Sequence, residues 1–251
     1  MKAKVIASGS KGNCTIILCE NTNIIIDMGI SYLTLKKCLE ENSLSFDSFS
    51  GILLTHCHND HTKGIASLLN HTNLKVYLPE EMYESIKGII PYSKCIFVPD
   101  EFTINDVEIT LIHTSHDAPA SVGFIINHNN SSIAYVTDTG YINRKYLAKM
   151  KEKDLYIIES NHDEKMLMDG PYPRFLKERV ISDRGHLSNK TTASYLKRLV
   201  GPNTKNIILA HLSEKNNTED LALQAIEDAK LDKNIKVSIA RQYEETEMIE
   251  V

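Results

Sequence analysis

The sequence predicts an α/β fold: two sheets faced by helices, in a single domain spanning residues 1–251. Three observations predict it. Short apolar, β-branched runs alternate with segments of helical period along the whole chain. Proline and glycine are scattered rather than gathered, so no linker divides the chain. With 251 residues, 42% hydrophobic and 24% charged, the chain can bury a substantial core.

In order, strands are expected over 4–7, 15–18, 24–27, 52–54, 75–78, 95–98, 107–113, 122–126, 132–136, 155–159, 206–210 and 236–240. Each is a run such as Ile24-Ile25-Ile26 or Ile207-Ile208-Leu209, short and rich in β-branched or apolar side chains. Asn127-His128-Asn129-Asn130 is a turn signal and predicts a hairpin between two of them. Helices are expected over 32–41, 62–70, 80–88, 143–150, 190–199 and 218–230. About a dozen strands with interleaved helices suit two helix-covered sheets.

The most informative stretch is Thr55-His56-Cys57-His58-Asn59-Asp60-His61, directly after Gly51-Ile52-Leu53-Leu54. Three imidazoles and a carboxylate, all metal-ligand types, thus sit where a strand ends and the chain turns. Ligand types recur at other strand ends: His113 and His116, then Asp138, then His211. Such a set gathers a site from distant sequence. Imidazole and carboxylate suit Zn²⁺, Mn²⁺ or Fe, and with His113 set aside as a strand residue in favour of His116 in the loop beyond, seven candidates exceed the four that one structural ion would close. Two cations roughly 3.5–4 Å apart can share a water and lower its pKa toward about 7.

Composition removes several classes. The first nine residues lack the apolar region of a signal peptide, and no run approaches the ~18 apolar residues of a membrane helix. Cys14, Cys19, Cys38, Cys57 and Cys95 form no CxxC pair, as expected of reduced thiols in a cytoplasmic protein. Cys57 is expected to be an inert thiol turned away from its His neighbours. Net charge is −5, yet residues 171–198 hold Arg174, Lys177, Arg179, Arg184, Lys190, Lys197 and Arg198 against Glu178 and Asp183. A basic segment of this kind can hold a phosphate backbone.

With Asp27 in Ile-Ile-Ile-Asp-Met-Gly, the His56-His58-Asp60-His61 run, His116, Asp138 and His211 in order, the chain resembles the metallo-β-lactamase superfamily along essentially its whole length. That resemblance implies an αββα sandwich with a dinuclear metal centre at its edge. His56, His58 and His116 would bind one ion, Asp60, His61 and His211 the second, and Asp138 would bridge. Asp27 would orient a ligand imidazole. The ions would be Zn or Mn, with Fe a third candidate.

Between Asp138 and His211 lie a strand ending in Glu159 and the element Gly185-His186-Leu187-Ser188 before a helix. This looks like the phosphodiesterase branch typified by tRNase Z. There the resemblance implies that His186 contacts the phosphate and protonates the leaving oxygen, with Glu159 orienting it. A poor alkoxide leaving group needs such an acid. Asp60, His186 and Glu159 are therefore the expected catalytic residues. Ser188 or Asn189 is expected to cap the helix that follows.

Ser8-Gly9-Ser10-Lys11-Gly12-Asn13-Cys14, Glu159-Ser160-Asn161-His162-Asp163 and His211-Leu212-Ser213-Glu214-Lys215 together resemble YycJ-type (WalJ) metallohydrolases. That resemblance implies a 5′-to-3′ exonuclease on double-stranded DNA, linked to mismatch repair and its proteins. Asn13, Arg174 and Lys215 are the expected substrate contacts; His162 and Asp163 are left open between structural and functional roles. The competing class is a metallohydrolase of a small ester, thioester or cyclic phosphodiester. A thioester or lactam hydrolase among these would use the same metals but need no Glu159–His186 acid.

Overall fold

The computed structural model describes residues 1–251 and contains two seven-stranded mixed sheets with helices against them. The first sheet uses β1 (Lys2–Ala7), β2 (Cys14–Leu18), β3 (Asn23–Ile26), β4 (Phe49–Leu53), β5 (Val76–Leu78), β6 (Cys95–Phe97) and the C-terminal Ile249–Glu250. It is antiparallel through β3 and parallel from β3 to β6. Helices α1 (Tyr32–Glu41), α2 (Asn59–Thr62), α3 (Ile65–His71) and α4 (Tyr83–Ile86) fall between its strands.

The second sheet opens with β7 (Glu101–Ile104), β8 (Val107–His113), β9 (Val122–His128) and β10 (Ser131–Val136), all antiparallel. It continues in parallel through β11 (Leu155–Glu159), β12 (Asn206–Ala210) and β13 (Lys236–Ile239). Five helices accompany it: α5 (Arg144–Met150), α6 (Glu164–Asp169), α7 (Arg174–Ile181), α8 (Asn189–Leu199) and α9 (Glu219–Ala229). The C-terminal pair Ile249–Glu250 is then β14.

Alternation along the central strands assigns each face. On β10, β11 and β12, Ile133, Tyr135, Leu155, Ile157, Ile208 and Ala210 point into the main core shared with the first sheet. Their neighbours Ala134, Val136, Tyr156, Ile158, Ile207 and Leu209 join Leu196, Leu199 and Ile226 of α8 and α9 in a second core. Both faces are apolar because both are covered, which makes these strands read as unbroken hydrophobic runs.

The expected hairpin forms, with Asn129-Asn130 linking β9 to β10 and Asn129 at φ 52°. The helix expected over 62–70 is broken instead into α2 and α3. At the break Gly64 donates its N–H to the Met28 carbonyl, and a Cβ there would meet the Ile30 carbonyl oxygen at 1.9 Å. That close approach presses the ligand-bearing turn against the end of β3. The segment expected to be helical over 80–88 is a 3₁₀ turn, Glu80–Met82, followed by the single turn of α4. Strands β7 and β14 and helices α6 and α7 carry no sequence expectation. No helix is long and apolar enough to cross a membrane.

Candidate metal centre

Every expected ligand leaves the carboxyl end of a strand or the loop beyond it, and all of these ends lie at one edge of the two sheets. Asp27 follows β3, the His56–His61 run follows β4, His116 follows β8, Asp138 follows β10 and His211 follows β12. Asp27, Asp138 and His211 adopt positive φ angles of 59°, 55° and 55°. Left-handed backbone costs a non-glycine residue about 1–2 kcal/mol. It persists only where the surroundings over-determine it, and here they do.

Asp27, fully buried, accepts the Thr55 N–H and Thr55 hydroxyl at 2.8 Å each and His61 Nδ1–H at 2.7 Å. Thr55 Oγ1 also lies 3.0 Å from His56 Nδ1, so one carboxylate steers two imidazoles. His211 donates its backbone N–H to Ser8 Oγ at 2.8 Å. His116 Nδ1 faces the Gly185 carbonyl at 3.3 Å. With Nδ1 engaged in each case, Nε2 of His56, His61 and His116 is turned to the site.

The donor spacing fits metal coordination. A tetrahedral ion with bonds of about 2.0–2.1 Å sets its ligand atoms about 3.3 Å apart. His56 Nε2 lies 3.1 Å and His116 Nε2 lies 3.3 Å from His58 Nδ1. In the second group, Asp60 Oδ2 lies 3.5 Å from His61 Nε2 and 3.6 Å from His211 Nε2, and Asp138 Oδ2 lies 3.4 Å from His61 Nε2. Asp138 Oδ1 reaches to 3.9 Å of His116 Nε2, so this carboxylate spans both groups. Asp138 Oδ2 and His211 Nε2 are buried without a hydrogen-bond partner in the protein. Buried polar atoms are ordinarily satisfied, and two orphans among clustered His and Asp donors fit cations.

The two halves differ electrically. Burial and the neighbouring imidazoles hold His56 well below its ordinary pKa. Burial alone would also lower His61, but the Asp27 and Asp138 carboxylates outweigh it and raise it to about 10.

Glu159, fully buried at the end of β11, accepts four hydrogen bonds. His186 Nδ1 donates to Oε1 at 2.7 Å and His211 Nδ1 at 3.0 Å, while the N–H groups of Thr139 and Leu187 donate to Oε2 at 3.2 and 3.1 Å. Burial would raise its pKa, but the His186 charge and these bonds hold the carboxyl well below the usual range. His186 rises in turn: burial opposes its charge, and Glu159 prevails. His186 also lines the cavity of about 230 Å³ over the ligands.

The comparisons with known proteins agree with this geometry. A family profile described as a beta-lactamase superfamily domain matches residues 22–212. The chain is 34% identical to Exodeoxyribonuclease YycJ of Bacillus anthracis, covering 97% of this chain and 94% of that protein. It is 32% identical to Exodeoxyribonuclease WalJ of Streptococcus pneumoniae serotype 2, covering 88% and 85%. This chain is a YycJ/WalJ-type member of the metallo-β-lactamase superfamily. The YycJ-type fold also superposes on the metallo-β-lactamase fold protein YhfI from Bacillus subtilis, with a TM-score of 0.74, 16% identity and coverage of 98% and 99%. Human tRNase Z, short form, gives 0.66 and 17%, covering 100% of each chain. As a member of this family, the YycJ-type chain is a metal-dependent hydrolase, and its clustered His and Asp side chains suit divalent cations.

Around this YycJ-type centre, the seven expected ligands and Asp27 converge, as do Glu159 and His186. The expected substrate contacts are placed differently from one another. Asn13 is buried against the ligand atoms: Nδ2 lies 2.9 Å from His61 Nε2 and 3.4 Å from Asp60 Oδ2, and its backbone N–H donates to the Asp60 carbonyl. It positions the ligand turn, and Ser10 of the same loop lines the cavity instead. Arg174 pairs with Glu178 and does not line the cavity; Arg179, 140° further around α7, does. Lys215 lies over the ring of Tyr172 at the cavity rim. Cys57 packs on the main core, and His113 pairs with Asp100 outside the site. Sequence reading missed Asp117, whose Oδ1 lies 3.3 Å from His116 Nε2 and 3.5 Å from His58 Nε2, and whose Oδ2 accepts Arg179 Nε–H at 2.7 Å. Its only signal was its place directly after His116. Tyr172 and Asn216, also on the cavity wall, gave none.

Proposed function

We propose that this chain is a nucleic-acid phosphodiesterase, and specifically an exonuclease that degrades double-stranded DNA from the 5′ end in DNA repair. The observation that carries the reading is His186, held by the buried Glu159 carboxylate at 2.7 Å and lining the cavity above the ligands. A thioester's thiolate leaves without an acid of this kind, whereas an alkoxide leaving from phosphorus needs its proton. The names of the YycJ and WalJ relatives support DNA as the polymer.

His56, His58 and His116 would hold one cation and Asp60, His61 and His211 the other, with Asp138 shared. Two divalent ions, Zn²⁺ or Mn²⁺, would lower the pKa of a common water and neutralise charge on the phosphate. Around them this chain's residues do the rest. Asp27 and Glu159 fix the ligand imidazoles through their second ring nitrogen. Arg179, on the cavity wall, binds a phosphate oxygen. His186 gives its Nε2 proton to the leaving oxygen as the phosphorus–oxygen bond breaks and an oxygen from water bonds to phosphorus.

The test is the metal-loaded protein on end-labelled single- and double-stranded DNA and RNA, with Asp60→Ala as the inactive control. His186→Ala is expected to lose 10²–10⁴-fold in kcat on DNA, with full metal content and a small loss on bis(p-nitrophenyl) phosphate, whose leaving group needs no acid. Equal loss on both substrates would refute the acid role. Thioester hydrolysis with no nuclease activity would refute the function.

A further inference from the structure

His186 is a wall shared by two spaces. One is the cavity above the ligands; the other is a cleft of about 310 Å³ between α6, the end of α7 and the start of α8. That volume falls at the lower end of small-molecule sites, roughly 300–1,000 Å³. The cleft is two-sided in chemistry. His162, Glu164, Ser188 and Thr191 form its polar wall, and Met168 and Ile181 form the apolar one.

Neither wall is explained by packing. Met168 and Ile181 are 57% and 53% exposed, although each has an apolar side chain on a helix that contributes to the core. His162 is 2% exposed and its Nδ1 has no hydrogen-bond partner, a rare condition for a buried imidazole. Ser188 Oγ donates to Glu164 Oε1 at 3.0 Å, which leaves Oε2 for a ligand hydroxyl or amino group. A carboxylate, an imidazole and hydroxyls opposite two apolar side chains match a sugar and base. They do not match a second phosphate, which Glu164 would repel.

We propose that this cleft receives the nucleoside attached to the leaving oxygen. The inference rests on the phosphodiesterase reading: if His186 protonates that oxygen, whatever the oxygen carries must lie beyond the ring, where the cleft begins. Water's oxygen bonds to phosphorus as water gives up a proton to the solvent, the bond from phosphorus to the terminal nucleotide's O3′ breaks, and the proton from His186, later regained from solvent, completes the hydroxyl. A space for one nucleoside makes the product a mononucleotide, whose own 5′ phosphate stays outside the cleft, away from Glu164.

Two substitutions that fill the cleft from different helices, Thr191→Trp and Ile181→Trp, test it on the metal-loaded full chain. Both are expected to raise KM for a DNA oligonucleotide at least tenfold while metal content stays full. In parallel, 2′-deoxyadenosine, which carries no phosphate for metals to bind, is titrated into protein with ¹⁵N-labelled histidine. The His162 ring signals are expected to shift in the wild type and not in the filled variants. No shift in the wild type, or an unchanged oligonucleotide KM in both variants, would overturn the cleft assignment. A wild type that shifts with deoxyadenosine but cleaves no phosphodiester keeps the nucleoside site and refutes the phosphodiesterase reading. Cleavage without the shift does the reverse.

Discussion

At the scale of single residues, the centre depends on carboxylates that touch no substrate. Asp27 and Glu159 are both fully buried, and each engages two imidazoles or a threonine relay to one. Removing such a partner typically weakens metal binding 10–100-fold. Asp27→Ala is therefore expected to lower zinc affinity by that factor in competition with a chromogenic chelator. An unchanged affinity would show that Thr55 and the sheet alone orient His56 and His61. The candidate ligands were legible in the sequence because they gather at or just beyond the ends of apolar strands, four of them in one run. Asp117 and Asn216 were not, because what they face is decided by loops that meet only in the folded chain.

At the scale of elements, α7 decides which basic residues matter. The basic count over 171–198 was visible, but its geometry was not: Arg174, the expected contact, pairs with Glu178 and lies off the cavity wall. Arg174 and Glu178 occupy one side of the helix, while Leu176, Arg179 and Val180 line the cavity. Arg179→Ala is expected to raise KM for DNA about tenfold and to flatten the salt dependence by about one ion. Arg174→Ala should leave both within twofold; the opposite ranking would return the phosphate contact to Arg174. Helices α6 and α7 escaped prediction for a related reason. They bury only Leu167 and Val180, with Pro171 and Pro173 between them, so no apolar stripe betrays their period. Strand β7 has only Ile104 buried. The long strands and α8, with its Ser188 cap, were readable because both pattern and boundary chemistry agree there.

At the scale of the molecule, the centre joins the sheets. His56, His58, Asp60 and His61 come from the first sheet, His116, Asp138 and His211 from the second, so cations held among them tie one layer to the other. A ligand that binds only the folded state stabilises it by about 2.7 kcal/mol at a hundred times its Kd. Chelation is thus expected to lower Tm by several degrees, and Asp138→Ala, which removes the shared carboxylate, should abolish the difference. A Tm indifferent to chelator would mean that the sheets hold together by their 42-residue common core alone. The positive-φ backbone at Asp27, Asp138 and His211 has one more consequence. Glycine would occupy those three positions with less strain than the residues that work there. A laboratory lineage screened only for heat resistance would accordingly drift toward a sturdier, inert variant, since at the carboxyl ends of these strands durability and chemistry ask for different amino acids.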